Sequence, residues 1–498
     1  MKRSIQWCIS MLTAGLLLIG FVGAAWAGAD GLYTATTDDG VTLKMLRYRP
    51  STDAPFRTGG QPVLLFPGIL TSMNQYLAHT PAGREDNYRD LALPIPLEDW
   101  AKDDPYIQMD HMRYYSLAHY LWLKGYDAWF CNYRGTGHGE FKSEKGDDPY
   151  NLTTLDVWGI MDTGPCIDKV RAVTGKDPFI GGHSTGGFVC YAYLQGAYFD
   201  PAELKAGFKA GYLPHVKSDP LLAAVRNAQI KGFIAIDPGI QPAIPQWADF
   251  DLMWMIVGLP IYLDFDALIT NLVNPLVPDD LITFALDAIF GTVNTLARED
   301  VEPYVTPYLN FWDMSNTDPN IADFYGRSCA TSTTMRCISG WVDRGVNQCA
   351  REHWKNGIEN KDKLGGEPRA SNDGYYYYED YMYLMRVPTI AVLNATDAMV
   401  NAENVIEKIF DAKTKHPGDV YYVIPGTAHA DIPLGLNAPS DVFPKIGDWL
   451  DQQCATTASG AAPEDYSTEG SSSRAAGGGS GPDDSSDGMC FITSASCR

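Results

Sequence analysis

The run Gly182-His183-Ser184-Thr185-Gly186 constrains this chain more than any other stretch of its 498 residues. An apolar segment from Asp177 to Gly181 leads into it, and a helical pattern begins straight after it. A serine between two glycines at a strand-to-helix turn predicts a tight, strained backbone. The hydroxyl is then held out at the carboxyl edge of a sheet. The glycines let neighbouring backbones pass close to the turn. An alcohol is a poor nucleophile without a base, and the base needs a carboxylate to orient it. Such a turn asks for a histidine and an acid further along the chain.

Strand and helix patterns alternate around that turn. Leu32 to Thr37 and Val41 to Tyr48 flank Asp38-Asp39-Gly40 and read as a β-hairpin. Pro62 to Phe66 is a short buried strand, and His111 to Lys124 has helical spacing stopped at Gly125. Strand Asp127 to Asn132 follows, then a helical segment from Thr154 to Val173 ending near Gly175. Ile230 to Ile236, Thr389 to Leu393 and Val420 to Ile424 are strand-like. This alternation predicts an α/β protein with a mainly parallel sheet covered by helices on both faces. The expected core runs over 28–237 and resumes over 387–454. The intervening 238–386 is too long for a connection and reads as an inserted helical cap, rich in Leu, Ile, Met and Phe around 252–296. From Ala455 to the end the chain is dominated by Ser, Gly, Ala, Asp and Thr, the composition of a flexible tail.

The expected chain order is serine, acid, histidine. His429 lies in Pro425-Gly426-Thr427-Ala428-His429-Ala430-Asp431, directly after the last predicted strand, and no histidine follows it. It is the candidate base. Asp397, just past the strand Thr389 to Leu393, is the candidate acid, because one βα unit separates it from His429. Asp237 is its rival, ending the preceding strand at Ile236-Asp237-Pro238. Two backbone N–H donors are expected for a developing oxyanion: Thr185, next to the serine, and Ile69, in the loop Pro67-Gly68-Ile69-Leu70. The chain has no CxxC pair and no HExxH, so neither a metal nor an organic cofactor is expected.

These motifs together resemble the α/β-hydrolases, and among them the acid lipases of gastric and lysosomal type. Phe66-Pro67-Gly68-Ile69-Leu70 is similar to the oxyanion loop of those lipases, with Pro67 where they carry histidine. Ser116-Leu117-Ala118, Gly125-Tyr126-Asp127 and Asn132-Tyr133-Arg134-Gly135 resemble the helix, strand and turn that precede their nucleophile. Thr185 stands where they have glutamine. Gly182-His183-Ser184-Thr185-Gly186-Gly187 and Arg134-Gly135-Thr136-Gly137-His138-Gly139 look more like monoglyceride lipases and serine aminopeptidases. The resemblance implies an α/β-hydrolase fold and a serine hydrolase cleaving acyl esters, with an amidase, peptidase or acyltransferase as its nearest rivals. A binding protein with a vestigial triad is the rival from another class.

Composition sets the remaining bounds. At 45% hydrophobic and 20% charged residues the chain has material for a large core. Thirty-eight basic against 61 acidic residues argue against a nucleic-acid partner. Lys2 and Arg3 precede an uncharged run that closes on Ala25-Trp26-Ala27, so 1–27 is expected to be a cleaved export signal. No later run is long enough to span a bilayer, and a secreted protein meeting ester or lipid substrates, at a lipid–water interface for the longer ones, is expected. In that setting Cys329, Cys337 and Cys349 are expected to include a disulfide, and Cys131 and Cys190 to be core residues.

Overall fold

The structure is a computed structural model that describes residues 29–50, 60–69, 71–80, 85, 91–147, 152–205, 216–239, 262–263, 321, 324, 333–334, 378–395, 400, 402–427 and 429–458. The expected export signal, most of the expected cap, the cysteines at 329, 337 and 349, and the tail lie outside the described residues. The chain divides into units 1–458 and 459–498, and only the first contains described residues.

Eight strands make one sheet: β1 (Ala29–Thr36), β2 (Thr42–Tyr48), β3 (Pro62–Phe66), β4 (Asp127–Cys131), β5 (Phe179–His183), β6 (Gly232–Ile236), β7 (Thr389–Asn394) and β8 (Val420–Ile424). Their spatial order is β1-β2-β4-β3-β5-β6-β7-β8. The β1–β2 and β2–β4 pairings are antiparallel. Every pairing from β4 through β3 to β8 is parallel. Five helices matter for the site: α1 (Leu117–Leu123), α2 (Thr163–Thr174), α3 (Thr185–Leu194), α4 (Pro220–Ala228) and α5 (Phe443–Ala458).

The central strands are buried along their whole length, so they carry apolar runs rather than polar alternation. The pleat then sends successive residues into two separate cores. Leu64, Phe66 and Trp129 join α2 and α3 on one face, through Cys166, Ile167, Val170, Phe188 and Val189. Val63, Leu65, Ala128 and Phe130 meet α5 on the other, through Phe443, Ile446, Trp449 and Leu450, spaced as one helical stripe. Cys131 and Cys190 are core residues, as their apolar neighbours predicted, and among the described residues no disulfide is present. Among the same residues no helix is long and apolar enough to cross a membrane.

Two predicted helices are broken. His111–Tyr115 is a 3-10 turn, and α1 starts only after Ser116, whose hydroxyl accepts the His119 N–H. The segment from Thr154 holds a short helix, a π-turn at Trp158–Asp162, and then α2, closed by Gly175 at φ 68. The π-turn has a tertiary partner. Asp162 is fully buried and accepts both the backbone N–H and the Nε–H of Arg134, at 2.9 and 2.7 Å. Arg134 also grips Asp39 of the β1–β2 turn through both terminal nitrogens, at 2.7 and 3.0 Å. This network ties the loop after β4 to α2 and to the first hairpin.

Burial pushes the Asp162 carboxyl up to about 6 from an ordinary 3.8, against the pull of Arg134. An acid raised in the folded state weakens folding as pH rises from its unfolded to its folded value. Arg134→Met should therefore destabilise the fold by about 3–5 kcal/mol at neutral pH, where it strands a buried carboxylate. The loss should shrink below about pH 4, where the carboxyl is protonated folded and unfolded alike. Urea unfolding at both pH values checks this, and a pH-independent loss would mean the charge pairing is not its cause.

Candidate active site

β5 ends at His183 and α3 begins at Thr185, so Ser184 stands alone between strand and helix at φ 54 and ψ −118. Among the described residues only two non-glycines have positive φ, Ser184 and Asp237, the latter at 42°. L-residues avoid this region, and where they are held in it the surroundings enforce the strain, most often at functional sites. The enforcing contacts are visible. A Cβ on Gly182 would lie 2.2 Å from the carbonyl oxygen of Phe66, and one on Gly186 would lie 2.0 Å from the same atom. Both positions must be glycine for the turn to seat on the end of β3.

The two strained residues are stapled to each other. Ser184 N–H donates to the Ile236 carbonyl at 3.0 Å, and Gly239 N–H donates to the Ser184 carbonyl at 2.9 Å. Asp237 N–H donates to Val392 on β7 at 2.8 Å. The fully buried Asp237 carboxylate then accepts the Asn394 N–H on Oδ1 at 3.2 Å and meets His429 Nδ1 on Oδ2 at 3.0 Å. A carboxylate only accepts, so Nδ1 carries the hydrogen, and in the neutral ring Nε2 keeps a lone pair, the form a proton acceptor requires.

The carboxylate that meets His429 Nδ1 is thus Asp237, the rival of Asp397. Asp397 itself lies outside the described residues. The physical reason is the turn after β6, whose positive φ swings the carboxylate over the end of β7. The signal available in the sequence was Asp237-Pro238-Gly239, a turn tripeptide at a strand end.

Ile69 and Thr185, the expected oxyanion donors, lie on segments that meet at the serine. A Cβ on Gly68 would lie 3.4 Å from Ser184 Cβ, so the loop after β3 rests on the Ser184 turn. That loop is held by the Tyr133 hydroxyl donating to Pro67 O at 2.9 Å and the Tyr76 hydroxyl donating to Phe66 O at 2.8 Å. Thr71 Oγ1 adds a bond to Gly68 O at 3.1 Å. Among the described residues neither the Ile69 nor the Thr185 backbone N–H has a protein acceptor. Within those residues no group of three His, Cys, Asp or Glu side chains is arranged to hold a metal ion.

Strand order and site placement now agree: the serine turns out from the end of β5, with the acid past β6 and the histidine past β8. The fold is that of an α/β-hydrolase. No family model matches the chain, and no curated protein matches it. Solved structures do overlap it. A soluble variant of monoglyceride lipase from Saccharomyces cerevisiae is 14% identical, at a TM-score of 0.43 over 85% of this chain and 94% of its own. A thermophilic esterase from Thermogutta terrifontis is 14% identical, at 0.38 over 85% and 99%. A monoacylglycerol lipase from Paleococcus ferrophilus is 13% identical, at 0.38 over 82% and 99%. These overlaps are loose; the strand order and the Ser184 turn carry the fold.

Proposed function

We propose that this α/β-hydrolase is a serine hydrolase of carboxylic esters, lipase-like and exported. The observation that carries it is the Asp237–His429 pair, whose histidine packs on His183, the residue before a serine held at positive φ. In this reading Ser184 Oγ attacks the acyl carbonyl while His429 Nε2 takes its proton. The carbonyl oxygen gains negative charge, met by the N–H groups of Ile69 and Thr185. His429 then gives the proton to the leaving alcohol, and an acyl-enzyme remains on Ser184. Water, deprotonated by the same imidazole, releases the acid and restores the serine. Asp237 keeps the imidazole in the right tautomer throughout.

Two finer parts of the reading rest on sequence. Export is supported by Lys2, Arg3 and the Ala25-Trp26-Ala27 end of the apolar run. Preference for medium to long acyl chains is supported by the Leu, Ile, Met, Trp and Phe content of 252–290.

A fluorophosphonate probe and a chain-length series of esters test the proposal together. The phosphonyl adduct should map to the peptide holding Ser184, and turnover should rise from acetate to emulsified medium and long chains. No adduct and no turnover on any chain length would sink it. An adduct with turnover only on amides, or only with an alcohol acceptor, would move the chemistry to a peptidase or an acyltransferase.

A further inference from the structure

His183, the residue before the proposed nucleophile, lies against both the loop after β3 and the loop that carries His429. Its Nε2 lies 3.0 Å from the His429 carbonyl oxygen, across 246 residues of sequence. A carbonyl only accepts, so His183 Nε2 carries the hydrogen and donates it. The ring stacks at a tilt on the His429 ring, with centroids 4.5 Å apart. On the oxyanion side, a Cβ on Gly68 would lie 3.2 Å from His183 Nδ1. The backbone N–H of His183 donates to the Tyr76 hydroxyl at 2.8 Å, and that hydroxyl donates in turn to Phe66 O at 2.8 Å. Tyr76 is itself fully buried. A chain of directed bonds thus runs from the end of β3 through Tyr76 and His183 to the main chain of His429.

We propose that His183 is a positioning residue for catalysis, holding the His429 loop through its Nε2–H. The inference rests on the Ser184–His429–Asp237 reading and deepens it. Asp237 fixes the rotation and tautomer of the His429 ring, and His183 reaches the main chain of the same residue. The loop after β8 is not part of the sheet at that point. The bond to the His429 carbonyl ties that main chain directly to the turn that carries the proposed nucleophile, so base and nucleophile move as one body. The imidazole must stay neutral for this, since a cation stacked on His429 would oppose the imidazolium that forms there in the reaction. A neutral ring with Nε2 protonated does both.

Three variants separate the hydrogen bond from mere packing. His183→Phe keeps the ring volume and loses the donor. His183→Gln places an amide N–H near the same point, and His183→Ala loses both. We expect kcat to fall about 10²-fold in His183→Phe, with KM unchanged, as a displacement of about 1 Å at a catalytic base does. His183→Gln should recover most of the loss. The rate of phosphonyl labelling at Ser184 should fall in the same proportion. Wild-type kcat in His183→Phe, or equal loss in Gln and Phe, would overturn the role while leaving the triad reading in place. Failure of the wild-type chain itself to label at Ser184 would instead remove the triad. A histidine 15N spectrum of the full chain reads the ring without any turnover. Nε2 of His183 should be protonated and Nδ1 bare, and the opposite tautomer would end the proposal.

Discussion

Ser184→Ala should reduce ester turnover by about 10⁴-fold or more while leaving the fold in place. The size of the loss follows from the step removed: without the oxygen no acyl-enzyme forms, and what remains is the polarising effect of the N–H groups at Ile69 and Thr185 on a water attack. Retention of the fold follows from what Ser184 does not do. Its side chain caps no N–H of α3, and the bonds that set the turn come from its backbone, to Ile236 and from Gly239. Alanine keeps those bonds and is no more strained at φ 54 than serine. The check is kcat/KM on a soluble ester, with circular dichroism and thermal unfolding matched to wild type. Turnover within tenfold of wild type, in a folded variant, would remove Ser184 from the mechanism.

What could be read in the sequence divides by how local its cause is. The strand at β5 and the turn at Ser184 were legible because an apolar run and two obligatory glycines are neighbours in the chain. His429 was legible by position, being the last histidine and following the last strand. The acid was not, because Asp237 and Asp397 both follow strands that end in the same place. Which one reaches the imidazole depends on the positive φ at Asp237 and on the register that sets β6 beside β7. Neither has a sequence period. The π-turn at Trp158–Asp162 was hidden for the same reason: its partner is Arg134, on a loop 28 residues earlier. Sequence patterns placed the elements, and contacts between distant elements set which carboxylate meets the His429 ring.

The carboxylate assignment carries the second large effect. Asp237→Asn should lower kcat/KM by about 10³–10⁴-fold, and Asp397→Asn should leave it within a few-fold of wild type. Asparagine at 237 can still accept the Asn394 N–H through its amide oxygen, so the turn at β6 should persist. What changes is the group facing His429 Nδ1 on the other side. An amide NH2 there donates, and the imidazole answers by moving its hydrogen from Nδ1 to Nε2. The lone pair that should take the proton of Ser184 is then gone, although every heavy atom is in place. Binding of the acyl chain does not involve that pair, so KM should hold while kcat falls. Raising the pH should not restore activity, because an amide cannot regain the charge. If instead Asp397→Asn were the crippled variant and Asp237→Asn turned over normally, the 3.0 Å contact to Asp237 would be a resting arrangement. The working acid would then be the carboxylate past β7.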